Sequence, residues 1–170
     1  SEAVMSMAVN EDAQETGQKA FNYRTEPIWF RHGYKPESHP TQTRQITDYD
    51  QVMNNAYIGG LDPVTPVFTA NAGDATRFRV VHPGGHTQQH VWQISGHEFQ
   101  KIPYTVNSTV IGSNGNSPVV GSRNGVGPTD HFDSVLRFAG GINRVTGDYH
   151  YGDYVPWYLV NGLWGIFRVE

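Results

Sequence analysis

Glycine and proline punctuate this chain too often for long helices. The 19 glycines and 10 prolines are spread over 170 residues. Each marks a point where a helix or a sheet is costly to continue. Such punctuation suits many short strands joined by turns. A helical bundle or coiled coil would need Ala, Leu, Glu and Lys in bulk. Aromatic residues make up 12% of the chain, enough apolar surface to offset chain entropy and argue against disorder. The length fits one ordinary domain. The expected fold class is therefore all-β, a sandwich or barrel.

Charge and cysteine usage narrow the chemistry. The formal net charge is -4 and the basic residues form no run, so no nucleic-acid partner is expected. Only Lys19, Lys35 and Lys101 are lysines. Cysteine is absent, which excludes disulfides, zinc ribbons, iron–sulfur ligation, thiol catalysis and a blue-copper thiolate. No apolar stretch approaches the roughly 20 residues that a membrane-spanning helix requires. The mildly apolar Ala3 to Val9 lacks the basic start and long core of a secretory signal; an exported protein would be represented here by its mature form or a fragment.

Three regions differ in character. Residues 1–20 read as an N-terminal arm or lone strand whose Val4, Met5, Met7 and Val9 could pair with a neighbour. Residues 21–60 read as an extended lead-in packed on the domain, since Pro27, Pro36 and Pro40 favour extended chain. Residues 61–170 carry the sandwich. Strands are expected at Val64 to Thr69, Thr76 to Val81, His90 to Ser95, Asp130 to Phe138, around Tyr149 and from Leu163 to Val169. In His90 to Ser95, Trp92 and Ile94 share one face, and Val91, Gln93 and Ser95 the other. Thr105 to Gly112 is rich in β-branched residues, and the glycine-rich run from Gly112 to Pro128 reads as a long flexible connection.

Histidine carries the strongest chemical signal. Four of the eight histidines fall in HPGGHTQQHVWQISGHEF, as His82, His86, His90 and His97. Pro83-Gly84-Gly85 rules out a helix that would align them, so they could share a metal only if the loop curls. GDYHYGD adds Asp148, His150 and Asp153, and TDHFD adds Asp130, His131 and Asp133. The histidine run offers His82, His86, His90 and His97 as candidate metal ligands. The simpler alternative has these groups bonded to backbone or water, with Asp148 and Asp153 serving turns. The aromatics Tyr149, Tyr151, Tyr154, Trp157, Tyr158 and Trp164 could line a carbohydrate surface, or serve as packing.

The segments FNYRTEP, GDATRFRVVHPGGHTQQHVWQISGHEF and GDYHYGDYVPWYLVNGLWGIFRV resemble multicopper oxidases of the large bacterial, manganese-oxidase-like branch. The resemblance spans roughly residues 20–170 and implies a cupredoxin-like Greek-key β-sandwich. Aligned on Gly96, only His90 matches the family's first copper motif, in the place of the blue-site histidine. Gln93 and Ser95 stand where two cluster histidines belong. Aligned on Gly162, Gly152, Asp153 and Tyr154 occupy the His-Cys-His motif, and Tyr158 and Leu163 the later His and axial positions.

The resemblance thus implies a retained scaffold without its copper wiring, and a scaffold alone does not transmit function. The chain is read as a non-catalytic structural or assembly domain of an extracytoplasmic complex. Its expected partners are copies of itself or other cupredoxin-type domains. No cofactor is expected on this reading. The alternative is a copper-binding component of a manganese-type oxidase that uses the His82–His97 cluster; the cupredoxin topology implied by the resemblance would bring Asp153 beside His90, so its candidate metal set is His82, His86, His90, His97 and Asp153.

Overall fold

The computed structural model describes residues 26–31, 62–82, 89–112, 114–160 and 162–170. The expected arm over residues 1–20 lies outside the described residues, as does the lead-in apart from residues 26–31.

The described residues form a two-layer, all-β sandwich. Its strands are β1 (Phe68–Ala70), β2 (Thr76–Val81), β3 (His90–Ile94), β4 (Phe99–Gln100), β5 (Val119–Val120), β6 (Ser122–Val126), β7 (His131–Leu136), β8 (Gly147–Asp153) and β9 (Trp164–Val169). One sheet has the order β1-β9-β8-β3-β6 and the other β2-β7-β4-β5. Only the β1–β9 pairing is parallel among the described ladders. The chain crosses between layers from β1 to β2, β2 to β3, β3 to β4, β5 to β6, β6 to β7 and β7 to β8, which gives the Greek-key connectivity of the expected cupredoxin-like sandwich. Two short helices, α1 (Ile28–Arg31) and α2 (Pro156–Val160), lie among the strands. Neither is long or apolar enough to cross a membrane.

Period-2 alternation builds the core. His90, Trp92 and Ile94 of β3 point inward while Val91 and Gln93 are half-buried on the other face, as the pattern predicts. On β7 the inward residues are Phe132, Ser134 and Leu136. Phe78, Trp92, Tyr151 and Phe167 meet between the layers, with Phe78 edge-on to Phe167 at 5.2 Å. The Trp92 indole N–H donates to Ser134 Oγ at 2.9 Å, which ties the two sheets through a satisfied polar contact.

β9 is buried on both faces. Its inward Gly165 faces Tyr151, whose ring fills the space a Cβ would need. The Tyr151 hydroxyl donates to Pro66 O at 2.6 Å, so the ring is fixed at its far end. The outward side chains Trp164 and Ile166 are buried, and Trp164 lies under residues 26–31: Ile28 is fully buried, and the Trp164 indole N–H donates to Glu26 O at 2.6 Å. The Arg31 guanidinium sits over the Trp164 ring and pairs with the Glu26 carboxylate at 3.1 Å. That carboxylate also accepts the Val64 amide at 2.8 Å. His150 stacks on Trp164 with its Nε2 buried and unpartnered, and burial lowers its pKa to about 4.

Several expectations change. The run from Gly112 to Pro128 contains β5 and β6 rather than one flexible connection, because Val119–Val120 pairs with β4 and Ser122–Val126 with β3. Gly125, at φ +68°, sits where the register shifts opposite β3. Thr105 to Gly112 forms turns despite its β-branched residues: Gly112 N donates to Pro103 O and closes the loop on itself. Strand β1 is shorter than expected because Pro66 interrupts its approach.

Two outcomes follow. Gly165→Ala should cost about 2 kcal/mol in urea unfolding through overpacking against the buried Tyr151; a variant as stable as the parent would show that the ring yields freely. For His150, a lowered folded pKa means that the unfolded state binds more protons below its ordinary value. Stability should therefore fall as pH drops from about 6.5 towards about 4, by roughly 3 kcal/mol in the limit of full burial. His150→Phe should flatten that part of the pH–stability curve, and an unchanged slope would assign it to other groups.

Candidate functional site

The chemistry-bearing side chains gather at one end of the sandwich. In the β3–β8 ladder Trp92 lies opposite Asp153, so Asp153 shares the inward face and His90 is its diagonal neighbour. His90 Nδ1 bonds to Asp153 Oδ2 in a short contact. An ionised carboxylate only accepts, so the imidazole carries its proton on Nδ1. Asp153 Oδ1 accepts the amides of Val91 at 3.0 Å and Val155 at 2.9 Å. The Val155 bond is an Asx turn that ends β8 and leads into α2. Both partners are buried, with Asp153 only 3% exposed.

Two further rings flank the pair. Tyr158, buried on α2, lies 4.6 Å from the His90 ring. His82, at the end of β2, lies 5.0 Å from it on the other strand-end segment. The His82 backbone is fixed by its amide donating to Asp130 O at 2.8 Å and its carbonyl accepting the Thr129 amide at 2.9 Å. Burial, then the neighbouring His90, lowers the His82 pKa, and its buried Nδ1 has no partner among the described residues.

The other predicted ligands separate. His97 lies past the far end of β3, where its Nδ1–H donates to Ser95 O and its Nε2 accepts the Gly140 amide, both at 2.9 Å. Both ring nitrogens are thus committed, and His97 packs on Tyr149 and Phe167 as a buried neutral ring. His86 lies outside the described residues. Asp148 binds Arg168 at 2.8 Å, and Asp130 accepts the Gly127 amide at 2.8 Å. Asp133 lies 3.8 Å from Arg79. These carboxylates serve surface pairs and turns. The Glu26–Arg31 pair gave no warning in the sequence: Glu26 lies in the FNYRTEP segment, but nothing there marks it as the partner of Arg31.

The positions that the family resemblance assigns to a mononuclear copper site do converge. His90 touches Asp153 and Tyr158, while the Leu163 carbonyl accepts the Asp153 amide at 2.9 Å and its amide donates to Tyr158 O at 3.0 Å. Their chemistry does not fit copper of that kind. The imidazole Nδ1 is closed by a carboxylate, a phenol ring lies against the same imidazole, and a blue site needs thiolate. Among the described residues no three His, Asp or Glu side chains come together to hold a metal ion. The aromatics proposed for a carbohydrate face are dispersed: Tyr151, Tyr158 and Trp164 are buried and Tyr154 is exposed.

No family model matches the chain, and no curated protein matches it. Solved structures do. The chain is similar to a copper-containing nitrite reductase from Thermus scotoductus SA-01 at 20% identity and TM-score 0.44, covering 61% of this chain and 22% of that one. It is similar to a multicopper oxidase from Campylobacter jejuni, a metallo-oxidase, at 14% identity and TM-score 0.44, covering 65% and 22%. It is also similar to reduced auracyanin from Roseiflexus castenholzii at 14% identity and TM-score 0.37, covering 61% and 82%. The chain thus spans about a fifth of the length of the reductase and of the Campylobacter oxidase.

Removing the carboxylate tests this geometry. Asp153→Ala leaves His90 Nδ1–H and two amides without an acceptor and should cost about 3 kcal/mol in chemical unfolding. Asp153→Asn keeps an acceptor oxygen and should cost less. Equal, small losses in both variants would contradict the arrangement.

Proposed function

We propose that this chain is a non-catalytic, cupredoxin-like structural or assembly domain of the multicopper-oxidase family, and a subunit or fragment of a larger extracytoplasmic assembly. One observation carries the reading: the His90–Asp153 hydrogen bond stands at the positions assigned to a blue-site histidine and cysteine. A copper ion there would supply one-electron transfer, but a carboxylate is no substitute for the thiolate on which that redox chemistry depends. What remains is a sandwich whose Asp153 carboxylate is committed to His90 and two backbone amides. Its partners on this reading are other copies of the chain or other cupredoxin-type domains, joined through the arm at residues 1–20.

The second reading is a copper-binding component of a manganese-type oxidase. It is favoured by one feature, the unpartnered buried Nδ1 of His82 beside His90.

Native mass and metal content of the purified protein, measured together, separate the two. The first reading expects a mass above the monomer that chelation leaves unchanged, with copper far below one ion per chain. Deleting residues 1–20 should yield a folded monomer; a truncated protein that assembles normally would remove the arm from the argument. Stoichiometric copper that survives dialysis and is lost in His90→Ala would establish the second reading instead.

A further inference from the structure

We propose that the loop from Lys101 to Gly112 is the docking surface for the N-terminal arm of a second copy of this chain. The proposal rests on the assembly reading and names its joint.

The loop displays apolar side chains in a fixed arrangement. Val106 is 92% exposed, and Ile102, Val110 and the adjacent Val119 on β5 are each more than half exposed. Their display is held by polar bonds beneath. The Asn114 side-chain amide donates to Ile102 O at 3.1 Å and Tyr104 O at 3.4 Å, and Ser117 Oγ accepts the Ile102 amide at 2.8 Å. Ser108 Oγ accepts the Val110 amide at 3.1 Å. An ordered apolar strip of this kind marks a contact surface more readily than scattered exposed residues do.

Charge identifies the occupant. Lys101 opens the strip, and Arg123 donates to its carbonyl at 2.9 Å, so two cations sit at one rim. Neither has a carboxylate partner among the described residues. The arm is complementary: Val4, Met5, Met7 and Val9 are apolar, Glu2, Glu11, Asp12 and Glu15 flank them, and no basic residue precedes Lys19. Methionine adapts readily to such a surface. The loop rests on the outer face of the four-stranded sheet, where Gly112 approaches the outward Val135. Glu26, the first described residue beyond the arm, packs on the outer face of the other sheet. On the assembly reading, the occupant assigned is the arm of a second copy.

Sedimentation velocity on the full-length chain tests this. Val106→Asp with Val110→Asp alters only exposed side chains and should weaken self-association by about tenfold or more, with an unchanged circular dichroism spectrum. Lys101→Glu alone and Glu11→Lys alone should each weaken it, and the two mutants mixed or combined should recover it. If arm deletion gives a monomer while the loop variants associate normally, the docking site is wrong and the assembly reading stands. A parent protein that is monomeric at all concentrations would overturn both.

Discussion

A buried carboxylate that must satisfy three donors organises the functional end of this molecule. Asp153 receives the His90 imidazole on one oxygen and the amides of Val91 and Val155 on the other. Those bonds join the first residues of β3, the last residue of β8 and the turn into α2. Any change that removed the carboxylate would strand buried polar groups, which costs far more than the same bonds contribute in water. The placement of Tyr158 and His82 against His90 follows from that anchoring.

The rest of the sandwich supplies the rigidity this arrangement requires. Trp92, one pleat along from His90, is fixed to the opposite sheet through Ser134. Tyr151, one pleat along from Asp153, is packed over Gly165 and bonded to Pro66. The inward residues of β3 and β8 are therefore constrained on both sides of the site. Beneath β9, residues 26–31 close the outer face over Trp164 with a buried ion pair that is hydrogen-bonded on several sides. Buried pairs survive only when they are satisfied in this way.

Strands were legible in the sequence where alternation faced a core on one side. β2 spans Thr76–Val81 as expected, and Trp92 and Ile94 point inward with His90 beside them. β5 and β6 were obscured because Gly121 between them and Gly125 within β6 read as turn-formers, yet Gly125 serves a register shift within the ladder. The short helices were missed for a related reason: Pro156 looks like a strand breaker in sequence but is well suited to a first helical position.

The histidines show the limit of spacing arguments. His90 and His97 are chemically identical and close in sequence, but a strand at about 3.3 Å per residue carries them to opposite ends of the layer. One meets Asp153, and the other is consumed between Ser95 and Gly140. The pairing of His90 with Asp153 was suggested only by the family resemblance, since 63 positions separate them. Composition carried no hint of it.

Nitrogen-15 NMR of the histidine side chains would examine the central interaction directly. The account predicts a proton bound to His90 Nδ1, shielded from solvent and unaltered when Cu(II) is added to the folded protein. Displacement of that proton by copper, with paramagnetic broadening centred on His90, would contradict it.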